Sequence, residues 1–155
     1  MREGLLLAPS DGLRIPLPAI GIEQRVLVPA AATSGQLVML EETTQPGKGP
    51  PLHIHHRQTE LFRFLEGEYE LVVGGRRYVA TAGAAAIVPP GVPHAFRNIG
   101  LTPARLLFVL TPALEGEAFF TELAAALAAG RPDPARLAEL TQRFGTEIVG
   151  PPLAG

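Results

Sequence analysis

Short apolar segments, broken at close intervals by glycine and proline, are what most constrains the fold of this chain. Its 17 Gly and 16 Pro make up about a fifth of the 155 residues and are spread along the sequence with no low-complexity tail. Glycine tolerates turn conformations and proline lacks an N–H, so both interrupt regular structure. Apolar runs punctuated in this way read as the strands of a sheet protein with many turns. The candidate strands are Ile22–Val28, Leu37–Glu42, His53–Ile54, Leu61–Leu65, Tyr69–Val73, Arg76–Ala80, Ala85–Val88, His94–Asn98 and Arg105–Leu110. Gly74-Gly75 falls between two of them and predicts a tight hairpin, because its central residues need positive φ.

The pattern changes after Pro112. Phe119, Phe120, Leu123, Ala126 and Leu127 fall on one helical face within 115–129, and Gly130 can stop that helix. Asp133-Pro134 is a cap followed by a first-turn proline. It predicts a second helix with Leu137, Leu140 and Phe144 inward and Gly145 after it. Ile148 and Val149 can add a short extended piece, and Leu5–Ala8 and Ile15–Ile20 can cover a sheet edge. The expected organisation is a single domain over residues 1–155, with a β body at about 22–111 and a helical appendage at about 115–145.

Composition narrows the function. A chain that is 46% hydrophobic and 18% charged is not wholly disordered, and a net charge of -2 argues against a basic nucleic-acid-binding surface. Without cysteine there is no disulfide framework, no zinc finger and no thiol nucleophile. Ser10 and Ser34 have no nearby base, and Gly47-Lys48-Gly49 lacks the spacing of a phosphate loop. The apolar run Leu5–Ala8 is too short for a secretory signal, and 123–129 is far too short for a membrane span. A cytoplasmic protein with no membrane partner is expected.

The chemistry concentrates in the histidines. Residues two apart on a strand share a face, so His53 and His55 point together and His56 points away. Glu60 has the wrong parity for one uninterrupted strand, and a turn or bulge at 57–59 would swing its carboxylate back. His94 can arrive from another strand. Three imidazoles and a carboxylate suit one divalent transition metal, Fe, Mn, Ni, Co, Cu or Zn, over Ca or Mg.

These residues carry a resemblance to the cupin superfamily. Gly47, His53, His55, Glu60 and Gly67 fit G-x5-H-x-H-x4-E-x6-G, and Gly83, Pro89, Gly91, His94 and Asn98 fit G-x5-P-x-G-x2-H-x3-N. Both motifs are complete across residues 47–98. The resemblance implies an all-β antiparallel jelly-roll β-barrel with a short helical C-terminal appendage. It also implies metal ligands His53, His55, Glu60 and His94, a structural Asn98, and a homodimer. The chain is further similar to small bacterial cupins of the quercetin-dioxygenase-like kind.

A substrate pocket beside such a metal would be walled by Phe62, Phe64 and Phe96, with Tyr69 or Tyr78 as polar handles. That wall suits a small aromatic or enolic molecule. The expected function is a dioxygenase-like oxidoreductase in which Glu60 stays a ligand or acts as a base. Cupins also include isomerases, decarboxylases and binding proteins without turnover, and the ligand set does not choose among them.

Overall fold

Alternation of apolar and polar residues resolves into strands along most of the first 112 residues. In the computed structural model, which describes residues 3–155, the order is β1 (Arg14–Leu17), β2 (Ile22–Val28), β3 (Val38–Thr44), β4 (Pro51–His55) and β5 (Thr59–Glu66). There follow β6 (Glu68–Val73), β7 (Arg76–Thr81), β8 (Ala85–Val88), β9 (His94–Asn98) and β10 (Ala104–Thr111). The C-terminal part is α1 (Gly116–Ala128), α2 (Pro134–Arg143) and β11 (Thr146–Pro152). Gly74 and Gly75, at φ 55° and 80°, make the β6–β7 hairpin in the left-handed region that favours glycine. Gly67, at φ 84°, turns β5 into β6, and a Cβ there would strike the Ala104 side chain.

The strands form two antiparallel sheets, ordered β1-β2-β3-β10-β5-β8 and β11-β4-β9-β6-β7. Among the described residues neither sheet closes on itself, which corrects the expected β-barrel. Alternation tells which side chains face inward, and both a closed barrel and an open sandwich satisfy it. The edges explain why pairing stops. β1 and β8 are four residues long, β1 carries Pro16, and β11 ends on Pro151-Pro152. Short, proline-bearing strands offer few ladder donors to a further neighbour. The sequence predicts only edge cover at Ile15–Ile20 and a short extended piece at Ile148 and Val149; these segments form β1 and β11, each at an outer place in its sheet.

The two inner faces meet in one core that includes Leu40, Phe62, Phe64, Tyr69, Leu106, Phe108 and Leu110. β10, buried at every second residue, is hydrogen-bonded to β3 on one side and β5 on the other. The helices fall where the sequence placed them. Asp133 caps α2 by accepting from the Ala135 N–H at 3.3 Å, and Pro134 follows at the first helical position. The Glu117 carboxylate ties α1 to the body by accepting from the Ala30 N–H at 3.1 Å. α1 packs on β1 and α2 on β11, so the appendage rests across the two sheets. No helix among the described residues is long and apolar enough to cross a membrane.

Candidate metal centre

β4 delivers His53 and His55 to one face, as strand parity requires. His53 lies directly opposite His94 of β9 in the register of the five-stranded sheet. Glu60 comes from β5, in the other sheet. The change of direction at 56–58 is therefore a crossover between sheets, rather than a bulge within one strand. Donor atoms of His53, His55, Glu60 and His94 all lie within 4.8 Å of one another. His55, Glu60 and His94 are buried, and His53 is partly so.

Second partners orient the rings. His53 Nδ1–H donates to the Pro51 carbonyl at 2.7 Å and His94 Nδ1–H to the Val92 carbonyl at 3.0 Å. His55 Nδ1 shares a hydrogen bond of 3.2 Å with Thr146 Oγ1. With each Nδ1 engaged, Nε2 is the ring atom left to face the other donors. A backbone carbonyl or hydroxyl behind each ring is how metal-binding imidazoles are usually held. Glu60 Oε2 lies 2.7 Å from His94 Nε2 and 3.2 Å from His55 Nε2.

Electrostatics fit a cation. Burial alone would raise the Glu60 pKa, but the adjacent His55 and His94 hold it well below the ordinary carboxylate range. Burial lowers His53 to about 3, with His94 and His55 adding to the effect, so that ring is neutral. His94 is raised against its burial by the hydrogen bond and charge of Glu60. One carboxylate, one neutral ring and two further Nε2 atoms at this spacing are a donor set for a divalent transition metal, and the residues present fit it.

A cavity of about 140 Å³ adjoins these donors. His53, His55 and Glu60 form part of its wall, with Phe96, Phe108, Phe119, Phe120, Leu123 and Ile148. Phe62, Phe64 and Tyr69 point inward but belong to the packed core and do not line the cavity. Phe62 braces the site from behind, its ring centroid 6.3 Å from His94 and 5.7 Å from Phe96. Tyr78 is exposed. His56 is exposed and pairs with Glu147 at 2.7 Å. Asn98 is fully buried, and its Nδ2 donates to the Thr44 and Thr102 carbonyls at 2.9 and 2.8 Å, stapling the β9 end.

Sequence reasoning missed two polar residues in the same wall, Gln24 and Glu42. The signal was present in β3, where Glu42 shares the inward parity of Val38 and Leu40. It also missed Phe108, Phe119 and Phe120 as cavity lining.

Comparison with known proteins agrees with this geometry. Residues 40–110 match the cupin domain family. The chain is 36% identical over 76 residues to the HTH-type transcriptional regulator PuuR of Escherichia coli K12, covering 49% of this chain and 41% of that protein. It is 42% identical over 53 residues to quercetin 2,3-dioxygenase of Bacillus subtilis, covering 33% of this chain and 16% of that one. The chain thus spans less than half the length of either relative. A predicted oxalate decarboxylase from Thermotoga maritima superposes with a TM-score of 0.65 at 20% identity, over 70% of this chain and 99% of that chain, a likeness of fold. Family match, fold and donor cluster agree: residues 40–110 carry the likeness to the cupin domain, and the β-rich fold around them brings together a donor set compatible with a divalent metal.

Proposed function

We propose that this protein is a metal-dependent, dioxygenase-like oxidoreductase acting on a small aromatic or enolic molecule held in the cavity beside His53, His55, Glu60 and His94. The observation that carries the reading is the convergence of these four donors beside a mainly apolar cavity, with His53, His55 and Glu60 in its wall. A divalent metal held there supplies Lewis-acid polarisation of a substrate oxygen and, if redox-active, electron exchange with O₂. Glu60 is kept ionised by its histidine neighbours, which suits it to a ligand's task and makes it a weak base. His53, His55 and His94 would hold the metal through Nε2, their rings being fixed by the Nδ1 partners. Phe96, Phe108, Phe119 and Phe120 exclude water and offer ring faces to a flat substrate. Volume limits the substrate: an apolar cavity of about 150 Å³ takes a benzene. One ring therefore fits within it.

A second reading is a sensing protein that binds its ligand without turnover. The 36% identity to a transcriptional regulator favours it. Loading the protein separately with Fe(II), Mn(II), Ni(II), Co(II), Cu(II) and Zn(II), then screening one-ring phenols and enols by oxygen electrode and mass spectrometry, separates the two. Oxygen uptake that needs protein, metal and substrate together, and vanishes in His94→Ala, supports the enzyme. Stoichiometric binding with no uptake and no mass change supports the sensor.

A further inference from the structure

The wall formed by β2 and β3 carries a polar pair where apolar side chains would fill a core as well. Gln24 and Glu42 face each other directly across the two strands, both are buried, and both line the cavity. Gln24 Nε2 donates to Glu42 Oε2 at 3.1 Å, and Thr44 Oγ1 donates to Glu42 Oε1 at 3.3 Å. Tyr69 O–H donates in turn to Thr44 Oγ1 at 3.0 Å. The network fixes the amide and the carboxyl, yet it leaves Gln24 Oε1 buried without a hydrogen-bond partner. A buried, unpaired carbonyl oxygen costs free energy that a packed core would not tolerate without return.

We propose that Gln24 and Glu42 are specificity-determining residues. Gln24 Oε1 accepts from, and the Glu42 carboxyl donates to, a neutral hydroxyl group on a one-ring ligand in the cavity. The proposal rests on the reading of this cavity as the substrate site. It names the ligand's second anchor, on strands separate from those that carry the metal donors. Burial, with the nearby Glu60 charge adding to it, raises the Glu42 pKa to about 8, so near neutral pH the carboxyl keeps a proton to donate. A hydroxyl is both donor and acceptor and meets both groups at once. An anionic substituent would face a carboxyl and an amide oxygen with no cation beside them.

The test uses phenol and toluene, which differ by a hydroxyl in place of a methyl. Their affinities for the full-length chain are measured by titration after chelator treatment, so that no metal competes for the hydroxyl. Phenol is expected to bind about 3- to 10-fold tighter than toluene, the range of one net hydrogen bond. Gln24→Leu should bring the two within about 2-fold, while the neutral isostere Glu42→Gln keeps the preference. Independently of folding in the variants, the side-chain amide resonances of Gln24 in the wild type should move with phenol and stay still with toluene. Equal affinities in the wild type, no binding of either probe, a preference that survives in folded Gln24→Leu, or an unmoved Gln24 amide would each overturn the proposal. Binding of Fe(II), Mn(II), Ni(II), Co(II), Cu(II) and Zn(II) is titrated separately on the chelated wild type. Failure of the chelated wild type to bind any of these ions would sink the metal reading alone, because the hydroxyl preference is scored without metal.

Discussion

Glu60 and Glu42 sit in the wall of one cavity, buried alike at 5% and 3% exposure, and are driven in opposite directions. Glu60 faces His55 and His94 and is held ionised. Glu42 faces an amide and a hydroxyl, with another carboxylate nearby, and stays protonated. Burial is common to both, so the neighbours decide. Imidazoles compensate a buried negative charge, whereas neutral dipoles offset only part of its desolvation. One end of the cavity is therefore built for a cation and the other for a neutral polar group.

The largest expected effect comes from breaking the charged end. His94→Ala removes a donor from the cluster and leaves the buried Glu60 carboxylate with His55 as its one remaining imidazole partner. Metal affinity is expected to fall by more than about 100-fold, exceeding the loss typical of a removed second partner. Elemental analysis after controlled reloading reads it, with circular dichroism confirming that the strands persist. Equal metal stoichiometry in wild type and variant would remove His94 from the site.

The neutral end is tested through pH. In the unfolded chain Glu42 loses its proton near 4.5, and in the folded chain near 8. Between those values the folded state binds more protons than the unfolded, so Glu42 makes stability fall as pH rises, levelling off above about 8. Glu42→Gln cannot ionise and should erase this contribution. Its stability relative to wild type should grow by up to about 1.4 kcal/mol per pH unit across the window. Urea unfolding of both proteins at pH 5, 6, 7 and 8 measures the difference. Parallel pH profiles would mean that Glu42 ionises normally.

How much of this contrast the sequence showed depends on how local its signal is. The charged end was legible because its residues lie in two short motifs whose spacing survives in a linear reading. The helices were legible through the period of Phe119, Phe120, Leu123 and Leu127 and the cap at Asp133. The neutral end requires the β2–β3 register, which sets Gln24 opposite Glu42, and no local pattern encodes a register between strands separated by a long loop. Parity placed Phe62, Phe64 and Tyr69 inward but said nothing of depth along the strand, which sends them to the core and Phe96 to the cavity. Sheet closure was illegible for the same reason: it depends on whether edge strands meet, and alternation within each strand is silent on that.

A smaller effect is expected at the link between the core and the neutral end. Tyr69→Phe removes the donor to Thr44 Oγ1 without altering the packed ring. The expected cost is about 1 kcal/mol, the net value of one buried hydrogen bond. Metal stoichiometry should be unchanged, since Tyr69 touches none of the four donors. A stability loss accompanied by metal loss would show that the two ends of the cavity are coupled through Thr44.

The smallest effect marks the outer limit of the charged end. His56 adjoins His55 in sequence, and a reading by proximity alone would count it as a ligand. Strand parity turns it outward, where its Nε2 meets Glu147 Oε2 of β11 at 2.7 Å with both side chains about half exposed. An exposed pair of this kind contributes between 0 and about 1 kcal/mol, because solvent screens the charges and two mobile side chains must be ordered. His56→Ala should therefore leave metal affinity within about 2-fold of wild type and stability within about 0.5 kcal/mol. Competition titration with a chromophoric chelator and urea unfolding measure the two quantities. A loss of metal affinity approaching that of His94→Ala would put His56 on the inner face. Since His53 and His55 must then turn outward with the same slip of one residue, it would dismantle the whole β4 contribution to the site.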